Sequence, residues 1–342
     1  MPKILVVGDP HCQMSTLSVF KEMVTSTLAL ARSNDVKLVV ITGDTNHTHA
    51  VCHSTLLNTA YEWIQNLAQI VPVVLLIGNH DMVAPSRFLE SDHPFHVLKG
   101  VPNITVVDYP CILPFEGGNF AFCPYVPPGR LKEALDLAGD WQNCSAVFAH
   151  PEITGAKMSE HVTCTSGDAW EPSYPLLIAG HYHDRQRPYP NLIYVGTPFH
   201  HSFGEVAEKT VSFFEVVDGR IINEELIDLQ LPKKLTIECN IEQLSEMVLI
   251  NDHNTMFNNR DSYRLKLQGS FSELLKFKKN SLYKELQQLG VKIVLDADDV
   301  TFTTSATQRS TYLQILSHLV KNSADANIEA AFQETVRSAE AH

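Results

Sequence analysis

Short apolar runs that stop at a glycine and then at a polar side chain recur along this chain. Residues 4–7 are apolar and run into Gly8-Asp9-Pro10-His11, and residues 38–41 run into Gly43-Asp44, with His47 following. The run ending at Ile77 leads into Gly78-Asn79-His80-Asp81, Ala146–Ala149 into His150, and Leu176–Ala179 into Gly180-His181-Tyr182-His183. Continuous apolar runs of this length predict buried strands, here over 3–8, 36–42, 73–77 and before His150 and His181. Between the first three strands, Leu17, Phe20, Val24 and Leu28 keep helical spacing over 15–33. Leu56, Leu57, Ala60, Trp63, Ile64 and Leu67 do the same over 53–69. This β-α-β-α-β opening predicts parallel strands joined by right-handed crossovers. Open sheets of that kind present ligands at the carboxyl ends of their strands. All five runs deliver Asp, Asn or His there, the layout of a metal site assembled from strand ends.

The later pattern is less regular. Residues 82–102 hold Pro85, Pro94 and Pro102 with His93 and His96, which predicts loop and short helix near the site. Short strands are expected over 104–107, 111–114 and 120–123, and a helix over 129–138. Residues 151–175, with His161, Gly167 and Trp170, read as a long irregular excursion suited to a substrate-facing lip. Strands over 192–195, Val211–Val217 and 221–226 follow, the last two joined by the hairpin signal Asp218-Gly219. The second half is expected to be antiparallel or mixed. The fold class is α/β: two mixed sheets packed as a sandwich with helices outside, over residues 1–230.

Pro232-Lys233-Lys234 marks a boundary. A small β-α unit over 231–303 is expected, with strands at 235–239, 263–267 and 292–295 and helices at 241–249 and 271–289. From 304 to 342, Tyr312, Ile315, Leu316, Leu319 and Val320, then Ile328, Ala331, Phe332 and Val336, predict two amphipathic helices without a core of their own. Such helices are expected to dock onto a partner chain.

Composition narrows the function classes. With 44% hydrophobic and 19% charged residues, the chain reads as globular. No apolar run approaches the roughly 20 residues that span a bilayer. Met1-Pro2-Lys3-Ile4 runs straight into a strand without a signal-peptide layout, so a cytoplasmic location and no membrane partner are expected. Seven scattered cysteines without a C-x-x-C pair predict reduced thiols, with Cys12 as packing. A net charge of −13 argues against a free-standing electrostatic DNA binder. Phosphate substrates remain open, because bound divalent cations are often the largest local charges in a site.

Asp9, His11, Asp44, Asn79, His150, His181 and His183 are more donors than one ion needs and suit two ions sharing a carboxylate. Mixed His, Asp and Asn donors without Cys favour Mn²⁺, Fe²⁺ or Zn²⁺ in a reactive site. A pair of such ions is a clamp for in-line displacement at phosphorus.

Together, Asp9-Pro10-His11, Gly43-Asp44, Gly78-Asn79-His80-Asp81, Ala149-His150 and Gly180-His181-Tyr182-His183 resemble the signature of the calcineurin-like metallophosphoesterases. Within them the pattern is similar to the DNA double-strand-break nuclease subunits: bacterial SbcD, its eukaryotic and archaeal counterparts, and the recombination endonuclease subunit of tailed phages. His47 after Asp44, Gly196-Thr197-Pro198 after the last ligand pair, and the small β-α unit with terminal helices carry that likeness. The first 220 residues match in motif and the rest in layout.

The resemblance implies a four-layer sandwich with a small capping domain. One metal would take Asp9, His11, Asp44 and His183, and the other Asp44, Asn79, His150 and His181. His80 would steady the transition state and protonate the leaving oxygen, Asp81 would orient its ring, and His47 would place the scissile phosphate. Mn²⁺ is the implied ion. The implied partners are DNA, an SMC-like ATPase of the SbcC type held by the C-terminal helices, and a second copy in a homodimer; the compartment would be the host cytoplasm for a phage protein. The implied activity is a DNA exonuclease or endonuclease in recombination and break processing, using direct water attack. Some features depart from the pattern: His49, His53, His200 and His201 are additional imidazoles, and Lys276, Lys278, Lys279 and Lys284 are the only basic cluster of the cap. Alternatives are a cyclic-nucleotide phosphodiesterase, a phosphatase, or a non-catalytic scaffold of the same fold.

Overall fold

The computed structural model describes residues 1–297 except 34, 160–161, 206–207, 251–256 and 258–259. His161 and the helices expected over 304–342, with their docking role, lie outside the described residues. The chain divides into two units: Met1–Thr236 with Phe257–Arg264, and the remaining described residues, 237–250 and 265–297.

In the first unit, β1 (Lys3–Val7), β2 (Val36–Ile41), β3 (Val73–Leu76) and β4 (Ile104–Val107) lie parallel and in that order. Helices α1 (Leu17–Ala31) and α2 (Ser54–Ala68) make the crossovers. A second sheet contains β5 (Cys111–Phe115), β6 (Gly118–Cys123), β7 (Ala146–Ala149), β10 (Leu176–Ala179), β11 (Gln186–Tyr189) and β12 (Leu192–Tyr194). Its centre, β6, β7, β10 and β12, is parallel, and the two edges β5 and β11 are antiparallel. Helix α3 (Leu131–Leu137) follows β6. The hairpin β13 (Val211–Val217) and β14 (Arg220–Ile227) returns to the first sheet, where β13 pairs antiparallel with β1. Its turn residues Asp218 and Gly219 have φ of 48° and 72°, as a two-residue hairpin loop needs.

Alternation along each strand sorts side chains into layers. Ile4, Val6, Val40 and Leu76 face Phe122, Phe148, Ile178 and Ile193 in a core between the sheets. Leu5, Val7, Val39 and Ile41 pack instead against Phe20, Met23, Trp63 and Ile64 of the helices. The outer face of the second sheet packs Val147, Leu177 and Tyr194 against Leu131, Ala134, Trp141 and Trp170. The result is the expected α/β sandwich, helix over sheet over sheet over helix.

Two segments differ from expectation. The excursion 151–175 is not wholly irregular, because β8 (Lys157–Ser159) and β9 (Val162–Thr163) pair within it. The second unit has α4 (Ile241–Ile250) and a sheet in the order β15 (Lys234–Asn240), β16 (Ser262–Gly269), β17 (Lys292–Ala297), the first two strands beginning in the first unit. The single helix expected over 271–289 is two, α5 (Phe271–Phe277) and α6 (Ser281–Gln288). Asn280 is the reason: its side chain accepts from Leu282 N at 3.3 Å and restarts the helix as an N-cap. Among the described residues, no helix is long and apolar enough to cross a membrane.

Candidate metal centre

All seven candidate donors converge, although they come from the ends of strands in both sheets. Asp9 and His11 follow β1, Asp44 follows β2, Asn79 follows β3, His150 follows β7, and His181 and His183 follow β10. The chain must bend sharply there to turn side chains back over the strand ends. Asp9, His11, Asp44 and His181 accordingly hold φ of 27°, 39°, 49° and 95°. Side-chain-bearing residues avoid this region, and such strain collects at functional sites. The preceding glycines answer a different need. A Cβ on Gly78 would lie 2.2 Å from Asp44 Oδ1, and one on Gly180 2.5 Å from Asp9 Oδ1.

The donors form two groups that meet at one carboxylate. Asp44 Oδ1 accepts the His80 amide at 2.8 Å, which turns Oδ2 between His150 Nε2 at 3.3 Å and His11 Nε2 at 3.7 Å. On one side His11 Nε2 lies 3.1 Å from His183 Nε2. On the other, Asn79 Oδ1 lies 3.1 Å from His150 Nε2 and 3.0 Å from His181 Nδ1. Donors about 3 Å apart are what ligands on metal bonds of about 2.1 Å produce at near-right angles. Asp9 Oδ2 accepts the His181 amide at 2.7 Å, while its Oδ1 is buried without a hydrogen-bond partner. The residues therefore fit divalent ions. Hydrogen bonds to the outer ring nitrogens fix two of the rings: His150 Nδ1 donates to Thr42 O at 2.7 Å, and His183 Nδ1 faces Glu205 Oε1 at 3.3 Å.

Electrostatics tell the same story. Burial pushes the Asp9 carboxyl up to about 7 against the pull of His150. Burial also works to raise Asp44, but His150, His11 and His80 outweigh it and hold Asp44 well below the usual carboxylate range. His150 rises to about 9 despite burial, because Asp44 and Asp9 face it, whereas burial and His150 push His181 down to about 3. Protons shared among buried aspartates and imidazoles are what a bound cation displaces.

His47 and His80 lie on the more open side of this basin, their ligand nitrogens within 4.8 Å of that of His11. His80 Nδ1 donates to His47 O at 2.8 Å, and its ring stacks on His49 with centroids 4.7 Å apart. His49 is in turn held by Asn79 O at 2.9 Å. Asp81 does not do what the resemblance implied. Its carboxylate accepts from the amides of Gly78 at 3.0 Å, Asn46 at 2.9 Å and Thr45 at 3.3 Å, so it ties two strand-end loops together, and the His47 carbonyl, not Asp81, holds the His80 ring.

Several residues gain a role that sequence spacing did not show. Glu205 on His183 is one, and His201, which packs against His11 with Nε2 at 3.3 Å from Asp9 O, is another. His53 caps α2 by accepting from Thr55 N at 3.2 Å, and Cys12 Sγ donates to Leu56 O at 3.7 Å; both lie outside the donor groups. His93, His96 and Asp108 bring ligand atoms within 4.8 Å of each other elsewhere, but Lys99 already pairs with Asp108.

The calcineurin-like phosphoesterase family profile matches residues 2–204. A protein of Invertebrate iridescent virus 6 that carries a phosphoesterase name, 244L, is 35% identical over 285 residues, 82% of this chain and 98% of its own length. A similarly named protein of Invertebrate iridescent virus 3, 078R, is 31% identical over 335 residues, 96% of this chain and 94% of its own. Matched along its length and carrying a donor set suited to divalent metal, the chain belongs to the calcineurin-like phosphoesterase family, hydrolases of phosphate esters.

Proposed function

We propose that this protein is a two-metal phosphodiesterase acting on DNA, a nuclease that favours Mn²⁺. The observation that carries the two-metal reading is Asp44 Oδ2, placed between His11 Nε2 at 3.7 Å and His150 Nε2 at 3.3 Å, one from each donor group. Asp9, His11, Asp44 and His183 would hold one ion, and Asp44, Asn79, His150 and His181 the other. Bound divalent ions supply positive charge against the non-bridging phosphate oxygens and a water acidic enough to attack phosphorus near neutral pH.

The remaining work falls to two histidines. A carbonyl can only accept, so His80 carries its proton on Nδ1 toward His47 O, and Nε2 is the nitrogen left to exchange with substrate. As water oxygen bonds to phosphorus, giving up a proton to solvent, and the ester P–O bond breaks, the leaving oxygen takes the proton from Nε2 of the His80 imidazolium, which returns to the neutral ring. The exposed His47 side chain, its ring 5.4 Å from His11 and 5.6 Å from His80, stands where the scissile phosphate enters. DNA as the substrate is supported by the likeness of His47 and of the appended β-α unit to the break-processing nucleases.

The test compares linear duplex DNA, a chromogenic phosphodiester and a chromogenic phosphomonoester, each with Mn²⁺ after chelation of the purified chain. DNA is expected to be cut and the monoester spared. Hydrolysis of the monoester with DNA left intact would replace this reading with that of a phosphatase.

A further inference from the structure

Glu205 is buried beside the centre without reaching the donor basin. Its side chain is 7% exposed, and that of its partner Lys209 is 5% exposed. Glu205 Oε1 accepts from Ser202 N at 2.9 Å and His201 N at 3.2 Å, and meets His183 Nδ1 at 3.3 Å. Lys209 Nζ lies 2.8 Å from Glu205 Oε2 and donates to His183 O at 2.9 Å and Asp184 Oδ1 at 3.0 Å. One acid and one base thus grip both the ring and the backbone of the same ligand residue.

The other ligand imidazoles are served differently. His150 Nδ1 has a neutral carbonyl, that of Thr42, at 2.7 Å. His181 Nε2 is 3.8 Å from Glu152 Oε1, beyond hydrogen-bonding reach, and His11 Nδ1 is buried without a partner. Among the described residues, His183 is the one ligand imidazole whose outer nitrogen meets a carboxylate from outside the donor set at hydrogen-bonding distance.

We infer that Glu205 is a positioning residue that sets the strength of the Asp9–His11–Asp44–His183 metal position. An ionised carboxylate can only accept, so it fixes His183 with the proton on Nδ1 and leaves Nε2 bare, 3.1 Å from His11 Nε2. It also makes that ring a stronger donor, as the outer carboxylate of a carboxylate–histidine–metal triad does. The loop bearing Glu205 has supports of its own. Lys234 Nζ donates to His201 O at 2.6 Å, and both Thr236 Oγ1 and Arg264 Nη2 donate to Phe203 O at 3.0 Å. Removing the Glu205 side chain therefore leaves these anchors in place.

The inference rests on the two-metal reading, and its test separates the two. Mn²⁺ is titrated into the chelated full chain and followed by electron paramagnetic resonance, which distinguishes an isolated ion from a spin-coupled pair; thermal unfolding of the metal-free chain is measured alongside. Wild type is expected to form the pair. Glu205→Ala needs about 10–100-fold more Mn²⁺ to form it, the usual cost of losing an outer-shell partner. Glu205→Gln, whose amide oxygen still accepts from Nδ1, needs less than about tenfold more, and keeps the test meaningful should the alanine variant not fold. A role confined to anchoring the loop would lower the unfolding midpoint of both variants and leave the pair-forming concentration unchanged, which overturns the inference. A wild-type chain that never forms the pair overturns the two-metal reading and this inference together.

Discussion

Among the described residues, two places bring two imidazoles and an aspartate within ligand reach, yet only one of the two is built for a metal. At Asp108, the carboxylate meets His93 Nε2 at 3.2 Å and the Lys99 ammonium, so the chain supplies its own cation. At Asp44, His150 and His181, among the described residues, no lysine or arginine pairs with Asp44 or with Asp9 beside it. There the buried negative charge meets imidazoles and neutral backbone amides, and ring nitrogens face each other at 3.1 Å. Converging donors alone do not mark a metal site. What marks it is a set of buried groups that cannot satisfy one another, since buried charge must be paired or bound to metal.

The comparison breaks most readily at Asp44. Asp44→Ala is expected to take the purified chain from two bound ions to none and to remove metal-dependent hydrolysis, whereas His93→Ala leaves both intact. Mass-spectrometric metal content decides it, and equal losses in the two variants would erase the distinction. His80→Ala is expected to lower turnover by about 10²–10⁴-fold, the range of a positioned proton donor. Its metal content should stay at the wild-type value; a loss of ions with the activity would make His80 a ligand instead.

Asp81→Ala strands three backbone amides, and at about 1–3 kcal/mol for each unsatisfied buried group it should cost several kcal/mol of stability in urea. Unchanged stability would return Asp81 to a purely catalytic role. The smallest effect is expected at the self-neutralised cluster. Burial works to raise the Asp108 carboxyl, but His93 and Lys99 outweigh it and hold it below its ordinary value. A depressed carboxyl stabilises the fold above its unfolded-state pKa of about 3.9 and loses that contribution as pH falls through the folded value. Asp108→Asn should therefore cost about 1–3 kcal/mol at neutral pH. The difference from wild type should shrink in acid, and a cost independent of pH would rule the ionic account out.

Much of the centre was legible because each ligand is the polar stop of an apolar run, and a buried strand has few reasons to end in Gly-Asp or Gly-Asn-His-Asp. The parallel run of β1, β2 and β3 was legible too, since a β-α-β-α-β opening implies parallel strands joined by crossovers. What stayed hidden depended on distant partners. The Asp218-Gly219 turn announced a hairpin, but not that β13 would pair with β1, where Lys3 stands opposite Glu215 and Val6 opposite Ser212. Glu205 carries no motif, and its meaning comes from meeting a ring 22 positions away. The ring-orienting role of Asp81 came from the resemblance alone, and its hold on the amides of Thr45 and Asn46 depends on a loop more than 30 positions earlier. Asn280 looked like one more polar position on a helix and proved to be a cap.

The glycines at the strand ends carry a consequence for how such a protein can change over generations. Gly78 owes its missing side chain to Asp44, and Gly180 owes its own to Asp9, residues delivered by other strands. A drifting lineage cannot trade away one of these positions and repair it locally, because the obstruction sits in a different stretch of the gene.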